Sequence, residues 1–71
     1  MTTQSARITG PVAYKADDGH AHTIPLGPCL LERLDDRLVD IIWGPDGQRS
    51  AALPLEDVES AEQQGHLVLL D

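Results

Sequence analysis

Phenylalanine is absent from this 71-residue chain, and Trp43 and Tyr14 are its only aromatic residues besides histidine. A core must therefore be assembled from Leu, Ile, Val and Ala around Trp43. At this length folding removes only about 60% of the extended chain's surface from water, so that core is small. Cys29 is the sole cysteine, which excludes an internal disulfide. Cations are scarce and scattered: Arg7, Lys15, Arg33, Arg37 and Arg49 stand against twelve acidic residues, for a net charge of −7. Nucleic-acid binding needs clustered cations that release counterions from phosphates, so no direct contact with DNA or RNA is expected. The longest fully apolar run, Leu67-Val68-Leu69-Leu70, falls far short of a membrane span. The segment Met1-Thr2-Thr3-Gln4-Ser5-Ala6 lacks the basic start and apolar stretch of a secretory signal. A cytoplasmic location away from membranes is the expectation, with residues 1–6 as a frayed polar tail and residues 7–71 as a single domain.

Catalytic signatures are missing as well. There is no glycine-rich phosphate loop and no Gly-x-Ser-x-Gly elbow, and Ser5, Ser50 and Ser60 have no base close in sequence. The chain is expected not to be an enzyme and to use no cofactor.

What the sequence does have is punctuation. Short apolar runs are closed by Asp17-Asp18-Gly19, Leu26-Gly27-Pro28, Asp35-Asp36, Gly44-Pro45-Asp46-Gly47 and Gly65-His66. That rhythm predicts a mainly antiparallel β domain. Arg7 to Ala16 reads as a bulged or edge strand, because Pro11 cannot donate to a ladder. His20 to Pro25 returns from a hairpin at Asp17-Asp18-Gly19, and Cys29 to Leu34 follows. Arg37 to Gly44 is the strongest strand: Val39, Ile41 and Trp43 share one face while Leu38, Asp40 and Ile42 share the other, which predicts a strand covered on both sides. Ser50 to Leu53 pairs back. From Leu55 to Gln64 alternation stops and Leu55, Val58 and Ala61 recur every third residue. With Pro54 before it, Glu56 and Asp57 in its first turn and Gly65 after it, this segment is a short helix. Leu67 to Leu70 closes the chain as a buried strand. The order resembles small SH3-like barrels in architecture; a simple α+β roll is the competing arrangement, and neither assigns a role to any residue.

Several groups could carry function. His20 and His22 share one face of a strand and, with Cys29 or His66, could hold a metal; solvent-facing histidines beside a hairpin loop are the plainer reading. Cys29, between Pro28 and Leu30, reads as a buried thiol with a raised pKa rather than a nucleophile. Trp43 is either an exposed interface anchor or the main core aromatic, and its shared face with Val39 and Ile41 favours the core. The carboxylates fall into clusters. Asp35, Asp36 and Asp40 surround one turn, and Glu56, Asp57, Glu59 and Glu62 lie on the helix, with Glu56, Glu59 and Gln63 on one flank. They read either as solvated surface or as an acidic face for a basic partner.

The expected function is thus a small acidic protein-interaction or regulatory module, with these seven carboxylates as contact residues and another protein with a basic surface as the partner. Mimicry of a nucleic acid toward a basic target is the alternative, and a metal-binding role for His20, His22 and Cys29 is a third. A small core without staples is often completed by a second subunit, so a homo-oligomer stays among the possibilities.

Overall fold

The structure, a computed structural model, describes residues 3–16 and 18–70. The fold is mainly β with one helix: β1 (Thr3–Ile8), β2 (Ala13–Lys15), β3 (Ala21–Thr23), β4 (Gly27–Arg33), β5 (Leu38–Trp43), β6 (Arg49–Pro54), α1 (Leu55–Gln63) and β7 (Leu67–Leu69). Five strands form one antiparallel sheet in the order β6-β5-β4-β1-β7, and β2 and β3 form a separate hairpin.

Alternation decides which face of the sheet is covered. Val39, Ile41 and Trp43 of β5, Cys29 and Leu31 of β4, and Ala6 and Ile8 of β1 are buried on the inner face. Val58 and Ala61 of α1 pack into that core, as do Val12 and Ile24 beside the hairpin. Trp43 lies inside this layer, 7% exposed, with Tyr14 of β2 tilted against it at 5.4 Å between ring centroids. Among the described residues every buried side chain is apolar.

Several expectations are corrected. The polar stretch expected to fray supplies four of the six residues of β1: Thr3 to Ala6 pair with Glu32 to Cys29. β1 lies between β4 and β7: Ala6 to Ile8 pair with β7 and the Ser5 carbonyl accepts the Leu70 N–H, while among the described residues Thr3 and Gln4 pair with β4 only. Ala6 is fully buried and Thr3, Gln4 and Ser5 stay exposed. The single bulged strand from Arg7 to Ala16 is instead two strands in two sheets. Gly10-Pro11 is the crossover between them, held where Thr9 and Gly10 donate their backbone N–H groups to the His66 carbonyl at 2.8 and 3.2 Å.

β5 is covered on one face only, since Leu38, Asp40 and Ile42 are exposed or half-buried. Leu67 is the one buried residue of β7; Leu69 shares its face but lies at the open edge of the sheet, beside Leu31, Val39 and Val58, and stays 42% exposed. Among the described residues no pairing joins β6 to β7, so the sheet stays open and forms no closed barrel.

Both ends of α1 are fixed by local chemistry. Pro54 occupies the N-cap, and the Leu55 N–H, which has no partner inside the helix, donates to the Arg37 carbonyl at 2.7 Å. At the other end Gly65, with φ of 77°, allows a Schellman closure: the Gly65 N–H donates to the Glu62 carbonyl at 3.1 Å and the His66 N–H to the Ala61 carbonyl at 2.9 Å. No helix among the described residues is long and apolar enough to cross a membrane.

Candidate functional site

The bond from Leu55 to Arg37 has a consequence beyond the helix. It docks the start of α1 against the β4–β5 turn, two segments that each carry acidic residues. Between them runs an open groove of about 690 Å³ lined by Asp35, Asp36, Arg37, Leu38, Pro54, Leu55, Glu56 and Glu59. Its floor is apolar: Leu38 is 36% exposed, Leu55 is half-buried and Pro54 is exposed. Its walls carry four carboxylates against the single guanidinium of Arg37.

The turn itself explains why two aspartates stand where glycine would be the easier choice. One Asp35 carboxylate oxygen accepts the N–H of Arg37 at 2.6 Å and of Leu38 at 2.9 Å. A side chain thereby replaces the backbone acceptor a tight reversal would need, and among the described residues only glycines take positive φ. The Arg33 Nε donates to the Asp35 carbonyl at 3.2 Å and braces the same loop. Asp35, Asp36, Glu56 and Glu59 are all exposed. Among the described residues the only side-chain ion pair within 4.0 Å is that of His22 with Asp18, so no described cation lies within 4.0 Å of the groove carboxylates.

The seven acidic residues singled out by sequence therefore separate. Asp35, Asp36, Glu56 and Glu59 meet in the groove. Asp57 lies on the opposite flank of α1 near Val12 and Leu53, and Glu62 faces the cleft beside Leu31 and Leu69. Asp40 is on the outer face of the sheet, directly across from Glu32. Partial burial, reinforced by the Glu32 charge, raises the Asp40 pKa above the ordinary 3.8.

The histidines and the cysteine do not converge. His22 lies in the hairpin, 3.3 Å from Asp18 and stacked on Tyr14 at 5.8 Å between centroids. His20 is exposed beside the Asp18–Gly19 turn; Asp17, the first residue of that predicted turn, falls outside the described residues. Cys29 is buried in the main sheet, where desolvation raises its thiol pKa, in keeping with its apolar flanks. Among the described residues no three metal-ligating side chains come together, so a site built from His20, His22 and Cys29 is not formed.

Sequence reasoning missed the groove's apolar floor and the Glu32–Asp40 pair. The second had a visible signal: Asp40 alternates with Leu38 and Ile42, an acidic residue on an otherwise apolar face. Comparison of the chain with family models, curated proteins and solved structures returns no match.

Proposed function

We propose that this protein is a non-catalytic interaction module whose groove between the β4–β5 turn and α1 takes a basic, partly aliphatic segment of another protein. The observation that carries this reading is the pairing of an exposed apolar floor with four carboxylates that, among the described residues, have no cation within 4.0 Å. A ligand with arginine or lysine beside leucine-like groups satisfies both. Its aliphatic portion leaves water against Leu38, Pro54 and Leu55, worth about 25 cal/mol per Å² of apolar surface covered. Its cation meets Asp36, Glu56 and Glu59, and the net charge of −7 steers it in at low ionic strength. Mimicry of a nucleic acid would want carboxylates spaced along one line; walls facing each other across an apolar floor suit a cation with an aliphatic stem better.

The test is a backbone-amide NMR titration of the full chain with an amphipathic peptide of alternating arginine and leucine. A control peptide carries glutamate in place of arginine. Shifts are expected to cluster at residues 35–38 and 54–59 with the basic peptide alone, and to weaken as salt rises. The combined variant D36N/E56Q/E59Q should lose most of the affinity. Shifts centred elsewhere, or binding unchanged in that variant, overturn the proposal.

A further inference from the structure

The face of the main sheet turned away from α1 carries a row of apolar residues. Register places Ile42 opposite Leu30 and Leu30 opposite Ser5, while the Leu70 N–H donates to the Ser5 carbonyl at 2.8 Å. Ile42, Leu30, Ser5 and Leu70 thus form one row across β5, β4, β1 and the residue that follows β7, with Leu30 and Leu70 each 40% exposed. The two sides of this row have opposite charge. On one side Glu32 lies directly across from Asp40, with Thr3 beside Glu32 on β1. On the other Arg7 lies between Pro28 and Val68, and Val68 is 44% exposed. Two carboxylates directly opposed on neighbouring strands work against the sheet unless something positive covers them.

We propose that a second copy of this chain packs on this face, about a two-fold axis running along the Ile42–Leu30–Ser5–Leu70 row, so that each copy's Arg7 reaches the other's Glu32, the nearer carboxylate of the Glu32–Asp40 pair. Rotation about the row exchanges its two sides. The carboxylate side of one sheet then lies over the Arg7 side of the other, and the apolar row covers itself. Arg7 stands above the partner's Thr3, one strand spacing of about 4.8 Å from the partner's Glu32, within the span of an arginine side chain. A two-fold axis along the strands would instead lay the carboxylate row on the carboxylate row. Charge therefore selects the first arrangement. Four strands of roughly 20 Å and the three-residue β7 of roughly 10 Å, at that spacing, give a face of about 430 Å² per copy. The total of about 900 Å² falls just under the size of a stable specific interface, so the dimer is a weak one. The net charge of −7 opposes it at long range, and salt of about 0.15 M, where the screening length is about 8 Å, removes much of that opposition.

Sedimentation equilibrium of the full chain in 0.15 M salt, from about 10 µM to about 1 mM, tests this across the range where a weak dimer dissociates. The average mass should climb from 7.7 kDa toward twice that value. R7E and E32R should each weaken association by about tenfold or more, and the charge-swapped R7E/E32R should recover to within about threefold of the original chain. L30E should abolish association. Far-ultraviolet circular dichroism and Trp43 fluorescence establish that each variant is folded. A chain that stays monomeric at the highest concentration overturns the proposal. So does association indifferent to L30E, or a folded double variant that fails to recover.

Discussion

Alanine at position 10 puts the crossover between the two sheets to a direct test. A Cβ added at Gly10 would lie 2.4 Å from His66 Cδ2, 2.7 Å from Cγ and 3.1 Å from Cβ. The histidine cannot simply retreat. Its N–H is bonded to the Ala61 carbonyl at 2.9 Å, and its own carbonyl accepts the Thr9 and Gly10 N–H groups at 2.8 and 3.2 Å. The ring must rotate instead, with its backbone held in place. Overpacking of this kind costs about 1–3 kcal/mol. Gly10 is not among the glycines at positive φ, so alanine fits the backbone and its smaller unfolded-state entropy returns about 0.4–1 kcal/mol. The expected net loss is about 1–2 kcal/mol, a fall in melting temperature of roughly 5–15 °C for a domain of this size. Urea and thermal unfolding of G10A, followed by circular dichroism and by Trp43 fluorescence, measure it. In an H66A background the same substitution should cost clearly less, because the ring atoms at 2.4 and 2.7 Å are gone and only the Cβ contact at 3.1 Å remains. A loss below about 0.5 kcal/mol in G10A, or an equal loss with and without the ring, refutes the steric argument.

Further expectations concern the turn and two titrating groups. D35A should destabilise the chain by about 1 kcal/mol, comparable to losing a helix cap, because the N–H groups of Arg37 and Leu38 lose their acceptor; D35N keeps an oxygen there and should retain most of the stability, as urea denaturation would show. The His20 N–H, and after it His22, hold Asp18 below the ordinary carboxylate value of 3.8. The folded state thus binds the proton less readily than the unfolded one. The stability gap between the original chain and D18N should be complete above about pH 5 and close as pH falls through the lowered value. Asp40 has the opposite sign: its raised pKa makes the folded state the better proton acceptor, a penalty present in full above the raised value and relieved as pH drops toward 3.8. Melts of dilute D40N across pH 3–7 should show a gain over the original chain at neutral pH that fades in acid.

Much of the local structure was legible because it is written locally. The rule that Gly65 ends a helix depends on residues 61–66 alone, and the helix ends at Gln63, one position from the sequence estimate. The alternation of Val39, Ile41 and Trp43 likewise named the inner face of β5. β1 escaped because its evidence is distant: Thr3 pairs with Glu32, and nothing within its own polar residues signals so remote a partner. An apolar run such as Leu67–Leu70 reads as buried whichever way it points, yet an edge position leaves Val68, Leu69 and Leu70 each 40% or more exposed. The site was half visible for the same reason. Composition flagged both acidic segments, and only the hydrogen bond from Leu55 to Arg37, spanning the whole of β5 and β6, joined Asp35 and Asp36 to Glu56 and Glu59 and left Asp57 and Glu62 outside.

Because the hairpin is a two-stranded unit of its own, seated on the main sheet through Tyr14 against Trp43, it is suited to lifting away while the five strands stay paired. The chain's one indole sits at that joint. Its emission would then change with local opening at denaturant levels too low to melt the sheet, and a native protein sampling an open form would announce it through this single residue before any backbone signal moved.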